Sequence, residues 1–299
     1  MASKWFNKSP VALDIKYLPH MRPFCLTLVP FQHEPWEGFG SDTLRCEGVS
    51  SIMAKSAVKN AHTVSKSYIR AWADDRNVVD VIDLQDGRGY PSSYLSATVV
   101  RYGYDSEILS YDLEHEYGRI EDRGIPAIVR LRKGYTLTAA ERNAVVAFLD
   151  MHLDRGRYAD QAKTRVPAVV LKTGGRIEHA EMTLGDRLVL SQSLQDVLRL
   201  TTLGLEQWPW QVRDIPGLVT GDGAVLLWET TKGAGICTVS FPLSPTQLLV
   251  IGQNLPDDVR FNPVLNPRLA ENSRRWIVGA RGTLNFKHAA VIATGRTQG

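Results

Sequence analysis

Glu114 and Glu121 stand seven residues apart in a segment that reads as helix, a spacing close to two turns that sets both carboxylates on one stripe. The stripe borders an apolar face of Leu113, Tyr117 and Ile120. Carboxylates held together near a core boundary repel, and a divalent cation or a shared proton relieves the repulsion. Metal ligation and acid–base work are the chemistry open to such a pair; ion pairs with arginines on neighbouring elements are the structural alternative. Arg155 follows His152 by three residues and Phe148 by seven. A guanidinium buried there requires an anion, which Glu114, Glu121, Asp222 or a bound phosphate can supply. An exposed Arg155 would instead close the last helical turn, where positive charge suits the macrodipole. Asp222, in Thr220-Gly-Asp-Gly-Ala224 between two apolar strands, can project from a sheet edge as a metal ligand or general base. It can equally bond its own turn.

The elements that must position these groups follow from periodicity. Thr138-Ala-Ala-Glu141 is a capping box, opening a helix that runs through Val145, Phe148, Leu149 and His152 to about Arg155. A helix is expected over Ser106–Arg123, interrupted by Pro126, and a short one over Ser65–Ala73 with Tyr68, Ile69 and Trp72 as its stripe. Leu194–Leu203 reads as amphipathic, stopping at Gly204. Phe24–Val29, Val78–Leu84, Gln207–Arg213, Ala224–Trp228, Ile236–Phe241 and Leu248–Gly252 read as strands, with turns at Gly38–Ser41, Asp86-Gly87 and Gly233–Gly235. Asn266-Pro267 offers an N-cap and first position for a closing helix. The expected class is α+β: central helices packed on a mostly antiparallel C-terminal sheet, with that helix at the C-terminus. Residues 1–61 read as an extension packed on a single domain spanning 62–299, since so short a piece would need staples to fold alone.

With 299 residues, 43% hydrophobic and 22% charged, the chain has the composition of a soluble globular protein. Its net charge of +3 permits an anionic partner without demanding one. Cys25, Cys46 and Cys237 are odd in number and widely separated, which argues against a disulfide framework or a thiolate zinc site and for a cytoplasmic setting. Neither an N-terminal apolar run nor a membrane-length stretch is present. His115, His152 and His179 lack metal-ligand spacing. The chain has no Walker loop, dinucleotide fingerprint or nucleophile elbow. Arg274, Arg275 and Arg281 beside Trp276 can grip phosphates and stack a base, making Arg274, Arg275 and Trp276 the expected nucleic-acid contact; a solvated charged face is the alternative.

A string of residues carries a family resemblance: His62-Thr-Val-Ser-Lys-Ser-Tyr-Ile-Arg-Ala-Trp72, Leu113-Glu114 with Glu121, Arg155, Thr220-Gly-Asp222, Phe241-Pro-Leu-Ser-Pro245 and Leu265-Asn266. It resembles the bacterial family known as domain of unknown function 4238, over roughly residues 62–280. Ser65 and Lys66 depart from the family's proline and glutamine, Gly221 from its serine and Ala224 from its proline. The resemblance implies that His62, Arg70, Glu114, Glu121, Arg155 and Asp222 form one constellation, but brings no activity. His62 could serve there as ligand or base, or simply cap the helix it precedes. Phe241–Pro245 and Asn266 read as architectural.

Three acids, two guanidinia and an imidazole would suit metal-assisted phosphodiester cleavage. In that expectation Glu114, Glu121 and Asp222 hold Mg²⁺ or Mn²⁺, His62 or Asp222 orients a water, and Arg70 and Arg155 meet the phosphate. A nuclease or phosphoester hydrolase, toxin-like or phage-related, is the leading expectation. A non-catalytic interaction protein with a buried ion-pair network is the alternative, and a nucleotide-using transferase is third.

Overall fold

The computed structural model describes residues 25–26, 60–101, 108, 112–171, 176–194, 197–231, 233–252 and 262–286. Along these run β1 (Cys25–Leu26), β2 (Asn60–His62), α1 (Lys66–Ile69), β3 (Val78–Asp83), β4 (Arg88–Ser93) and β5 (Val99–Arg101). Then come α2 (Leu113–Arg132), α3 (Ala139–Arg157), β6 (Val166–Leu171), β7 (Ile177–Met182) and α4 (Leu184–Ser193). The rest is β8 (Trp210–Asp214), β9 (Thr220–Gly221), β10 (Leu226–Glu229), β11 (Ile236–Ser244), β12 (Gln247–Gly252), α5 (Asn262–Asn272) and β13 (Trp276–Gly279). The fold is α+β. Among the described residues no helix is long and apolar enough to cross a membrane.

Two four-stranded antiparallel sheets run in the orders β10-β11-β12-β8 and β4-β3-β13-β9. A smaller sheet joins β1 in parallel to β6, which pairs with β7, and β2 pairs with β5. The late strands fall where alternation and apolar runs predict them. The expected antiparallel C-terminal sheet is present as β10-β11-β12-β8; β13, an apolar Trp-Ile-Val-Gly run, follows α5 and pairs between β3 and β9, tying both halves of the chain together. The expected closing helix is α5, the last helix among the described residues.

Asp112 caps α2, accepting from His115 N, and the expected start at Ser106 falls mostly outside the described residues. Pro126 does not interrupt the helix, contrary to the sequence reading. Its missing N–H orphans only the carbonyl of Asp122; both residues are exposed, so water can take that carbonyl. The capping box of α3 forms as expected, Thr138 Oγ1 accepting from Glu141 N and Glu141 from Thr138 N. A second box, Thr183 with Asp186, opens α4, a helix the periodicity missed. Leu194–Leu203 is correspondingly not an α-helix: Leu200 N donates to Asp150 and Arg199 pairs with Asp154, which pins this stretch along α3. Gln207 belongs to a 3₁₀ turn, so β8 begins at Trp210. Asn266 is no N-cap, because α5 has already begun at Asn262. Its side chain instead accepts from Val219 N and donates to Gly217 O. Of the N-terminal extension, Cys25–Leu26 forms part of the expected strand; the Gly38–Ser41 turn lies outside the described residues.

The helices and sheets meet in an aromatic core. Tyr68, Trp72 and Phe148 are fully buried, and Phe241 stacks on Tyr68 at 4.7 Å. The Tyr68 hydroxyl donates to Pro242 O and accepts from Thr220 Oγ1, each at 2.7 Å, while Trp72 Nε1 donates to Leu218 O. Such rings bury large apolar area but must satisfy their polar tips. Here those tips dock the first helix against the turns around β9 and β11.

Candidate functional site

α2 and α3 lie side by side, and Gly124 sets their approach: a β-carbon there would come within 2.7 Å of Phe148 Cβ. Across this seam the stripe of α2 faces the end of α3. Arg155, its side chain only 3% exposed, donates from Nη1 to Glu121 at 2.7 Å. Its Nη2 lies 3.8 Å from Glu114, and its guanidinium sits over the Tyr117 ring at 4.2 Å. Two carboxylates thus share one buried cation, the structural alternative for this pair. Burial is the main influence on Glu114 and pushes its carboxyl up, opposed by Arg155. Glu114 Oε2 has no hydrogen-bond partner among the described residues.

His62, at the end of β2, is half-buried, and its Nδ1 donates to Ala97 O at 3.3 Å. Burial holds the imidazole below its ordinary range, with the charges of Lys66, Glu121 and Arg155 all felt there. His62, Glu114, Glu121 and Arg155 therefore form one electrostatic neighbourhood.

Asp222 reaches this region by its backbone. Its carbonyl packs on Gly156, where a β-carbon would approach to 2.1 Å, so glycine is required beside Arg155. The carboxylate serves another role. Fully buried, it accepts from the backbone N–H groups of Arg274, Arg275 and Trp276, clamping the α5–β13 connection to the β9 turn. Desolvation pushes Asp222 up to about 6 against the pull of those N–H groups. His152, also buried, donates from Nε2 to Gly221 O at 2.9 Å, and burial holds it down to about 4. Among the described residues no group of three or more His, Cys, Asp or Glu side chains gathers as a metal site. The expected Glu114–Glu121–Asp222 ligand set is accordingly split between two structural roles.

Arg70 stands apart, exposed on the 3₁₀ turn after α1 and lining a separate cleft. The expected nucleic-acid contact is corrected as well. Trp276 is 4% exposed inside β13, leaving no face on which a base could stack. Arg275 is buried over the Trp276 ring, with Nη2 at 3.5 Å from Asp83; of the three, Arg274 alone is exposed. They follow α5 instead of lying on it.

Sequence reasoning missed further buried charges. Asp154 meets Arg157, Arg199 and Ser191 within 3.3 Å, and Asp80 accepts from Gly282 N and pairs with Arg281. A signal existed for Asp80 and Asp83: both interrupt the otherwise apolar Val78–Asp83 strand, and a charge in such a run must find a partner. Arg132 carried no signal, because its position in α2 looks like any charged last turn.

Residues 60–184 match the model of a family described as "Protein of unknown function (DUF4238)". That span includes His62, Arg70, Glu114, Glu121 and Arg155; the motifs at Asp222, Phe241 and Asn266 lie beyond it. No curated protein and no solved structure matches the chain.

Proposed function

We propose, since residues 60–184 belong to the DUF4238 family of unknown function, that this chain is a non-catalytic interaction protein whose polar motif residues form an internal ion-pair network. The observation that supports this is the closure of the network. Arg155 is held by Glu121, Glu114 and Tyr117, and Asp222 by three backbone N–H groups. Charges engaged in this way dock helices on sheets and have little left with which to meet a substrate. A cytoplasmic setting is part of the proposal, in keeping with the free Cys237. The test uses Asp222→Asn and Glu121→Ala. Both should lower the melting temperature by several degrees, and the parent protein should leave DNA and RNA uncut with Mg²⁺ or Mn²⁺ supplied. A phosphodiesterase activity abolished by these changes at an unaltered melting temperature would overturn it.

A metal-dependent phosphoester hydrolase is the second reading, and one observation favours it. Glu114, pushed up and with Oε2 unbonded, shares its neighbourhood with His62, held down, and titratable groups displaced from their ordinary values by burial in one neighbourhood suit acid–base work. Saturable Mn²⁺ binding lost in Glu114→Gln would raise this reading over the first.

A further inference from the structure

A cleft of about 500 Å³ opens between α1, its 3₁₀ extension, α2 and the loop after β4. Lys66, Arg70 and Arg132 line it, with Tyr94, Ile125 and Val129 among the remaining walls and no carboxylate on any of them. Among the described residues none of these three cations forms an ion pair. They differ in this from Arg155, Arg199 and Arg275, each of which does.

Arg132 is held ready in this cleft. Its Nε donates to Leu243 O at 2.6 Å and its Nη2 to Tyr68 O at 3.3 Å, which fixes the guanidinium plane. Those acceptors are neutral carbonyls, so they orient the group without neutralising it, and Nη1 keeps its protons for another acceptor. Burial pulls Arg132 below the ordinary guanidinium range, a cost that an arriving anion relieves. Lys66 and Arg70, four residues apart on one face of the helical turn, supply exposed charge at the same mouth. A fixed guanidinium with two exposed cations suits a dianionic phosphate, and the volume is that of a small-molecule site.

We propose that this cleft binds a small organic phosphate, with the phosphate on Lys66, Arg70 and Arg132 and an aromatic or apolar body against Tyr94, Ile125 and Val129. The site uses no side chain of the Arg155 network, so it goes beyond the scaffold role and can fail independently of it. Calorimetric titration of the full chain with AMP, inorganic phosphate and adenosine tests it. AMP should bind most tightly, inorganic phosphate more weakly, and adenosine without measurable affinity. The double variant Lys66→Gln/Arg70→Gln changes only exposed side chains and should keep the parent melting temperature. It should bind AMP about a hundredfold more weakly, roughly tenfold for each lost charge-assisted contact. Arg132→Gln should do the same but also lower the melting temperature, because the carbonyls of Leu243 and Tyr68 each lose a guanidinium donor. No heat with AMP or phosphate, adenosine binding as tightly as AMP, or unchanged AMP affinity in the double variant would each overturn the assignment.

Discussion

At the junction of Asp222 with residues 274–276, the buried charges meet internal partners: three N–H groups on the carboxylate, and a carboxylate and ring on neighbouring Arg275. Around Lys66, Arg70 and Arg132 the cations converge without a carboxylate among the lining residues. Asp222 and Arg70 both belong to the residues gathered by the family resemblance, and from sequence alone both look like chemistry. Burial separates them. A charge enclosed by its own chain acts on stability, whereas one left open at a cleft is available to something outside.

Four changes put that contrast at risk. Asp222→Ala should have the largest effect: three buried N–H groups lose their acceptor at about 1–3 kcal/mol each, so urea unfolding should show a loss of about 4 kcal/mol or more. Arg155→Met should come next, at about 2–4 kcal/mol, because it strands Glu114 and Glu121 together at a partly exposed edge. Near-parent stability in either variant would break the comparison.

The third change is in pH dependence. His152 is held down to about 4 from an ordinary 6.5, so its contribution is complete above pH 6.5 and is lost as pH falls towards 4. Asp222 is pushed up to about 6 from 3.8, so its contribution is complete below pH 3.8 and is lost as pH rises through 6. The two slopes oppose one another between about pH 4 and 6. His152→Gln keeps a donor for Gly221 O but removes the histidine slope. Its urea midpoint should therefore rise relative to the parent's as the pH is lowered from 7 to 4.5. A constant difference between the two proteins would show that His152 does not titrate on unfolding. The smallest effect is expected from Arg70→Gln, within about 0.5 kcal/mol of the parent by thermal unfolding, since an exposed cation at an open cleft does little for the fold.

Local chemistry was legible where neighbours in sequence decide the outcome. The Thr138–Glu141 box rests on contacts within a few residues, and the apolar stripe of Tyr68, Ile69 and Trp72 and the late strands show themselves in local periodicity. Pro126 misled because the sequence does not reveal that Asp122 and its carbonyl face water. Asn266 misled because its partners, Gly217 and Val219, are nearly fifty residues away. The candidate site divides in the same manner. The spacing of Glu114 and Glu121 placed them on one stripe and identified Arg155 as needing an anion. That Arg155 would pair with both, and that Asp222 would be taken up by residues 274–276, depended on how α3 and β13 pack.

What the sequence by itself determined is the set of elements and the requirement that their buried charges be matched, because periodicity, capping and desolvation act through local composition. Which acid meets which base, and which cations stay open at a cleft, was decided by tertiary structure alone. Those pairings join residues up to about two hundred positions apart, as Arg275 with Asp83, and only the packed chain brings such groups within a few ångströms, where electrostatic energies become decisive.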